Sequence, residues 1–153
     1  MANILFYLLE QEQTDDQPAH FALACQLATD CFRQRQRCVV LAENQAQAEA
    51  FDELLWQRPT DAFVPHNLSG EGPNGGAPVE IVWQLDNTGN RAVLINLSSQ
   101  MPAQAERFRQ IYDFVPAEDN LKQQARERYK HYRAAGHQLS TAPAAQKDET
   151  HNG

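Results

Sequence analysis

"RCVVLAENQAQAEAFDELLW", residues 37–56, places an unbroken apolar run, an asparagine and an amphipathic run in direct succession. The run Arg37–Ala42 does not alternate, which suits a short strand buried on both faces. Asn44 offers the side chain of a helix N-cap, and Gln47 stands three positions later in a capping-box-like arrangement. Ala46, Ala50, Phe51, Leu54 and Leu55 then recur at helical spacing. A buried strand feeding a capped helix is a unit of an α/β fold.

The alternation continues outward in both directions. Asn3–Leu9 reads as a first strand. Pro18 to about Gln36 reads as a helix, with Phe21, Cys25, Ala28 and Phe32 on one stripe. Downstream, Val79–Trp83 and Ala92–Leu97 read as strands joined by the turn-like DNTGN, after a long loop holding Pro59, Pro65, Pro73 and Pro78. Pro102 opens a helix through Gln110, and Tyr112–Val115 is a further strand. Pro116 opens a last helix to about Ala135, with Gly136 in the C′ position. The pattern predicts an α/β single domain over residues 1–140, with a mostly parallel sheet and helices on both faces. Residues 141–153 lack apolar periodicity and are expected to form a disordered tail.

Composition narrows the function. The chain has 153 residues, the size of one domain, and its 42% apolar content excludes a fully disordered chain. A net charge of −7 excludes general binding to a phosphate backbone. Cys25, Cys31 and Cys38 are odd in number and form no C-x-x-C, as for reduced thiols in the cytoplasm. No basic segment precedes the first apolar run, which is too short to span a membrane. The five histidines show no metal-ligand spacing, so no metal is expected.

"GEGPNGG", residues 70–76, spells G-x-G-x-x-G, yet its setting is wrong for a dinucleotide. Such a loop follows the first strand and opens a helix, whose N–H groups meet the pyrophosphate. Here it leads into a strand, Pro73 removes an N–H, and no glycine precedes Gly70. The expectation is a nucleotide-binding-like fold that lacks a phosphate loop and takes no cofactor.

Two stretches remain. Residues 122–133, KQQARERYKHYR, hold Lys122, Arg126, Arg128, Lys130 and Arg133 against Glu127. On a helix, Lys122, Arg126, Tyr129, Lys130 and Arg133 share one stripe, while Leu121, Ala125 and Tyr132 form another. The cationic stripe is either a dock for an anionic group or a solvated face favoured by the helix dipole. In LLWQRPTDAFVPHNL, residues 54–68, Trp56, Phe63, Val64 and Pro65 either cap the core or form an exposed protein-binding anchor.

Four motifs carry a resemblance: FYLL (6–9), FDELLW (51–56), FVPHNLSGEGPNGGAPVEI (63–81) and DFVPAEDNLKQQARERYKHYRAAG (113–136). Through them the chain, from about residue 1 to 140, resembles the chi subunits of the bacterial DNA polymerase III holoenzyme. Gln84–Arg91 matches poorly, and the tail after Thr141 is not covered. The resemblance implies a non-catalytic adaptor in DNA replication. Such proteins bind the psi subunit, which links them to the clamp loader, and the acidic C-terminal peptide of single-stranded-DNA-binding protein. DNA would then be reached only indirectly. Carried onto this sequence, the peptide site comprises Lys122, Arg126, Tyr129 and Lys130, with Val115 as an apolar wall. The psi site comprises Trp56, Phe63 and Pro65. The alternative is a nucleotide-dependent enzyme with an unrecognised site on an α/β fold.

Overall fold

The structure, a computed structural model, describes residues 2–11, 13–14, 17–57, 64–72, 76–85 and 91–144. In chain order the elements are β1 (Asn3–Leu8), β2 (Gln13–Thr14), β3 (Gln17–Pro18), α1 (Ala19–Arg33), β4 (Cys38–Leu41) and α2 (Gln45–Gln57). They continue with β5 (His66–Leu68), β6 (Val79–Val82), β7 (Val93–Asn96), a 3-10 turn (Ala105–Arg107), β8 (Gln110–Val115), α3 (Asp119–Ala134) and β9 (Gln138–Pro143). Seven strands form one sheet in the order β5-β6-β4-β7-β8-β1-β9, every neighbouring pair parallel. β2 and β3 pair separately.

The unbroken apolar run of β4 now has its reason. Cys38 and Val40 face α1 and α2, where Phe21, Phe51 and Leu54 pack with Ile81 and Ile95. Val39 and Leu41 face the other side, where Ala125 and Tyr132 of α3 pack with Ile4, Phe6, Leu94 and Ile111. A strand covered on both faces cannot alternate apolar with polar residues. The caps formed as read. The Gln47 amide donates to Asn44 Oδ1 at 2.9 Å, and Gln47 Oε1 accepts from the Glu43 amide at 2.6 Å. All three cysteines are buried as free thiols.

Four details depart from the sequence reading. The loop after α2 contains β5, three residues that take the edge beside β6. β6 and β7 are not adjacent but flank β4, because parallel strands cannot be joined by a tight turn; DNTGN lies outside the described residues. Pro102–Gln110 is not a helix. Gln104 takes a left-handed φ of 60°, a single 3-10 turn follows, and Gln110 already begins β8. After the last helix comes β9, a strand that the sequence reading lacks; it runs through Pro143, three residues into the segment read as tail, because Gln138–Pro143 pair with β1.

The described part of the glycine stretch, residues 70–72 and 76, lies between β5 and β6. Gly72 has φ +89°, and a Cβ there would fall 2.7 Å from Cγ of the buried Asn67. Asn67 Oδ1 in turn accepts the Ala77 amide at 2.7 Å. Gly76 has φ +79°, and its Cβ would fall 2.5 Å from Arg91 Nη2. Arg91 is buried and donates to the carbonyls of Cys38 and Pro78 and to Glu80 Oε1, all within 3.0–3.1 Å. Gly72 and Gly76 make room for protein side chains. Gly75 lies outside the described residues.

Candidate functional site

Asp113 lies in β8 with no exposure to solvent, among apolar strands. A carboxylate buried this way needs a cation and hydrogen bonds. Arg128 of α3 supplies both. Its Nη2 meets Asp113 Oδ1 at 2.9 Å and its Nε meets Oδ2 at 3.1 Å, a fork on both oxygens. The same guanidinium donates to the carbonyls of Ser99 (2.8 Å) and Phe114 (3.1 Å). Tyr132 Oη and Asn96 Nδ2 also donate to Oδ2, at 3.0 and 3.2 Å. Burial and the adjacent Asp113 charge push the Tyr132 hydroxyl far above its ordinary range, so it stays a donor.

Arg128, counted from sequence among the cations of the helix, is therefore consumed inside the protein. The signal that could have found it was Asp113 itself, an acid within a strand between apolar residues. What remains on the outside of α3 is the sequence-predicted stripe. Arg126 and Lys130 are exposed, and Lys122 is half-buried. Lys130 approaches Glu127 only at 3.8 Å, with both side chains mostly in water. Tyr129 is half-buried, its ring 5.4 Å from that of Phe6, and it packs with Val115 against the same apolar cluster. The Arg133 guanidinium lies 5.9 Å over the Tyr129 ring. The helix begins with Glu118, whose side chain accepts the Leu121 amide at 2.8 Å, and ends with Gly136 at φ +93°.

The second predicted patch lies at the other edge of the sheet. Trp56, near the end of α2, is 57% exposed. Its ring meets that of His66 of β5 in an edge-type contact at 4.9 Å. His66 is held by the Val64 carbonyl at 2.7 Å and by Asp52 at 3.3 Å. Pro65, half-buried, leads into β5. Phe63 lies outside the described residues. α2 packs beside β5 and β6 whereas α3 packs over β8 and β9. Four strand spacings of about 4.8 Å separate β5 from β8, roughly 19 Å.

A cavity of about 220 Å³ opens at the carboxyl ends of the strands, lined by His20, Phe21, Glu43, Gln47, Ser98 and Arg128 among others. Open α/β sheets take nucleotides at this end. Here the Glu43 carboxylate accepts the Ser99 amide at 2.6 Å, and Arg128 is already spent on Asp113 and two carbonyls. An anion entering would meet negative charge. Burial, with Arg128 nearby, pushes the His20 imidazole down to about 4, so it is neutral at ordinary pH. Among the described residues, no helix is long and apolar enough to cross a membrane.

The family model and the curated relatives agree on family. Residues 1–140 match the family described as "DNA polymerase III chi subunit, HolC". The chain is 49% identical over 144 residues to the DNA polymerase III subunit chi of Escherichia coli (strain K12), covering 93% of this chain and 98% of that one. It is 48% identical over 120 residues to subunit chi of Haemophilus influenzae, covering 78% and 83%, and 30% identical over 139 residues to that of Pseudomonas aeruginosa, covering 91% and 94%. Among solved structures, T4 UvsW aligns with a TM-score of 0.58 at 10% identity, over 94% of this chain and 41% of that one. The chain thus spans about two fifths of that protein's length, and the likeness is one of fold alone. The chain belongs to the DNA polymerase III chi subunit family.

Proposed function

We propose that this replication accessory subunit is a non-catalytic adaptor. One surface takes the psi subunit and so connects to the clamp loader. The other takes the acidic C-terminal peptide of single-stranded-DNA-binding protein. The observation that carries this reading is the outer face of α3. On a chain of net charge −7, Arg126 and Lys130 stand exposed beside the half-buried ring of Tyr129, with Val115 packed in the same cluster. Cation, ring and apolar wall suit a peptide that ends in acidic residues and an aromatic carboxylate. The exposed Trp56 suits a second protein surface. With the chain acidic overall, DNA is reached through the bound protein.

Arg126 can fork onto a carboxylate, so Arg126→Ala is expected to weaken binding of such a peptide by about 2–3 kcal/mol, the scale of a charge-assisted hydrogen bond. Isothermal titration at two salt concentrations tests this, since the wild-type affinity should fall as salt rises. Unchanged affinity in a folded Arg126→Ala protein would sink the site.

Trp56→Ala is expected to weaken psi binding by about 2 kcal/mol or more, the loss typical of a large aromatic anchor. Because Trp56 is mostly exposed, the variant's melting temperature should stay near that of wild type. The acidic-peptide affinity should also stay put, given the spacing between the two edges. Parallel titrations of both partners with both variants read the crossover. Loss of both affinities together would defeat the two-surface reading.

A further inference from the structure

α3 carries the cationic face but has little apolar surface with which to hold itself. Of its sixteen residues only Ala125, Arg128 and Tyr132 are buried. Apolar packing is non-directional and leaves the rotation of a helix about its own axis poorly determined. Two of the three buried side chains, Arg128 and Tyr132, end on one carboxylate. That carboxylate sits inside the sheet, on the strand paired between β7 and β1. The fork and the hydroxyl bond are directional, and together with the Ser99 and Phe114 carbonyls they leave Arg128 a single geometry. Arg126, Tyr129 and Lys130 lie within two residues of Arg128 and follow whatever rotation it adopts.

We infer that Asp113 is the positioning residue of the α3 surface. It sets the angle at which Arg126 and Lys130 are presented, through Arg128 and Tyr132, without touching the ligand. The inference rests on the acidic-peptide reading of that surface and adds the group that orients it.

The sign of one measurement decides the matter. Asp113→Asn removes a negative charge from beneath a cationic face. Coulomb's law alone then makes the surface more attractive to an acidic peptide, so affinity would rise. Positioning demands the reverse. The probe is a short synthetic peptide with consecutive aspartates and a C-terminal phenylalanine carboxylate, titrated at a temperature where circular dichroism shows each variant folded. Asp113→Asn is expected to bind about tenfold more weakly, the scale of one charge-assisted hydrogen bond pulled out of alignment. Tyr132→Phe keeps the ring and all charges; it is expected to bind about threefold more weakly, the scale of a neutral hydrogen bond. It also decides the question should Asp113→Asn fail to fold. Psi affinity, at the far edge, should be unchanged in both. Equal or tighter peptide binding in the folded variants overturns the inference. Hydrogen exchange of the α3 amides in the free proteins is the second readout. Faster exchange confined to Asp119–Ala134 supports positioning, and unchanged exchange opposes it. If the wild-type chain ignores the peptide, the adaptor reading fails, and exchange alone judges Asp113.

Discussion

Arg128→Ala is expected to destabilise the domain by about 3–5 kcal/mol, the cost of removing one partner from a buried ion pair. Asp113 has no solvent exposure, and Arg128 satisfies both of its oxygens. Truncation would leave the carboxylate with the Asn96, Tyr132 and Phe114 amide donors but no countercharge. It would also strip the Ser99 and Phe114 carbonyls of their donor. Urea unfolding of the two proteins measures the difference. The double variant Asp113→Ala, Arg128→Ala should be less damaged than the two single losses added together, because no charge is left behind. A loss below about 1 kcal/mol for Arg128→Ala, the range of an exposed pair, would mean that water reaches Asp113 and the burial argument is wrong.

Acid should weaken the fold through His20 before most carboxylates titrate. The sign follows from the direction of the shift. His20 is lowered in the folded protein from 6.5 to about 4, by burial first and Arg128 second. Between those values the unfolded chain binds the proton and the folded one does not. The contribution of His20 is therefore complete above pH 6.5 and is lost as pH falls toward 4. At about 1.4 kcal/mol per unit, the loss approaches about 3 kcal/mol. The ring packs edge-on to Phe21 at 5.1 Å and against Phe114 at 5.8 Å, so a charged imidazolium would lose hydration against two aromatic rings. Unfolding free energies of wild type and His20→Gln across pH 7 to 4 isolate the effect, because shared carboxylate titrations cancel in the difference. A difference that stays flat over this window would contradict a half-buried neutral histidine.

Local pattern sufficed wherever one residue's role depends on near neighbours. The strands β1, β4, β6 and β7, the helices α1 and α2 and the Asn44 cap were legible because periodicity and capping act within a few residues. The last helix was placed by the same means, though its first turn begins at Asp119, after Pro116. That the glycine stretch leads into a strand and not a helix was legible too, and β6 begins at Val79 as read. The exposed cations of α3 were readable as a stripe, since helical spacing alone puts Arg126 and Lys130 together.

What needed the tertiary structure was every feature set by partners distant in the chain. β5 is three residues long and exists only because β6 offers an edge to pair with. Gln104 adopts its left-handed turn because Ala105 and Phe108 are both buried there. Gly72 and Gly76 are needed because Asn67 and Arg91 fill the space a Cβ would take. Arg128 and Arg126 look alike in sequence, two residues apart. One is buried against Asp113, fifteen positions earlier, and the other stands in water. Hydrophobic spacing is a short-range code, whereas the pairing of a buried charge depends on which strand the fold lays beneath it, and only the assembled sheet supplies that.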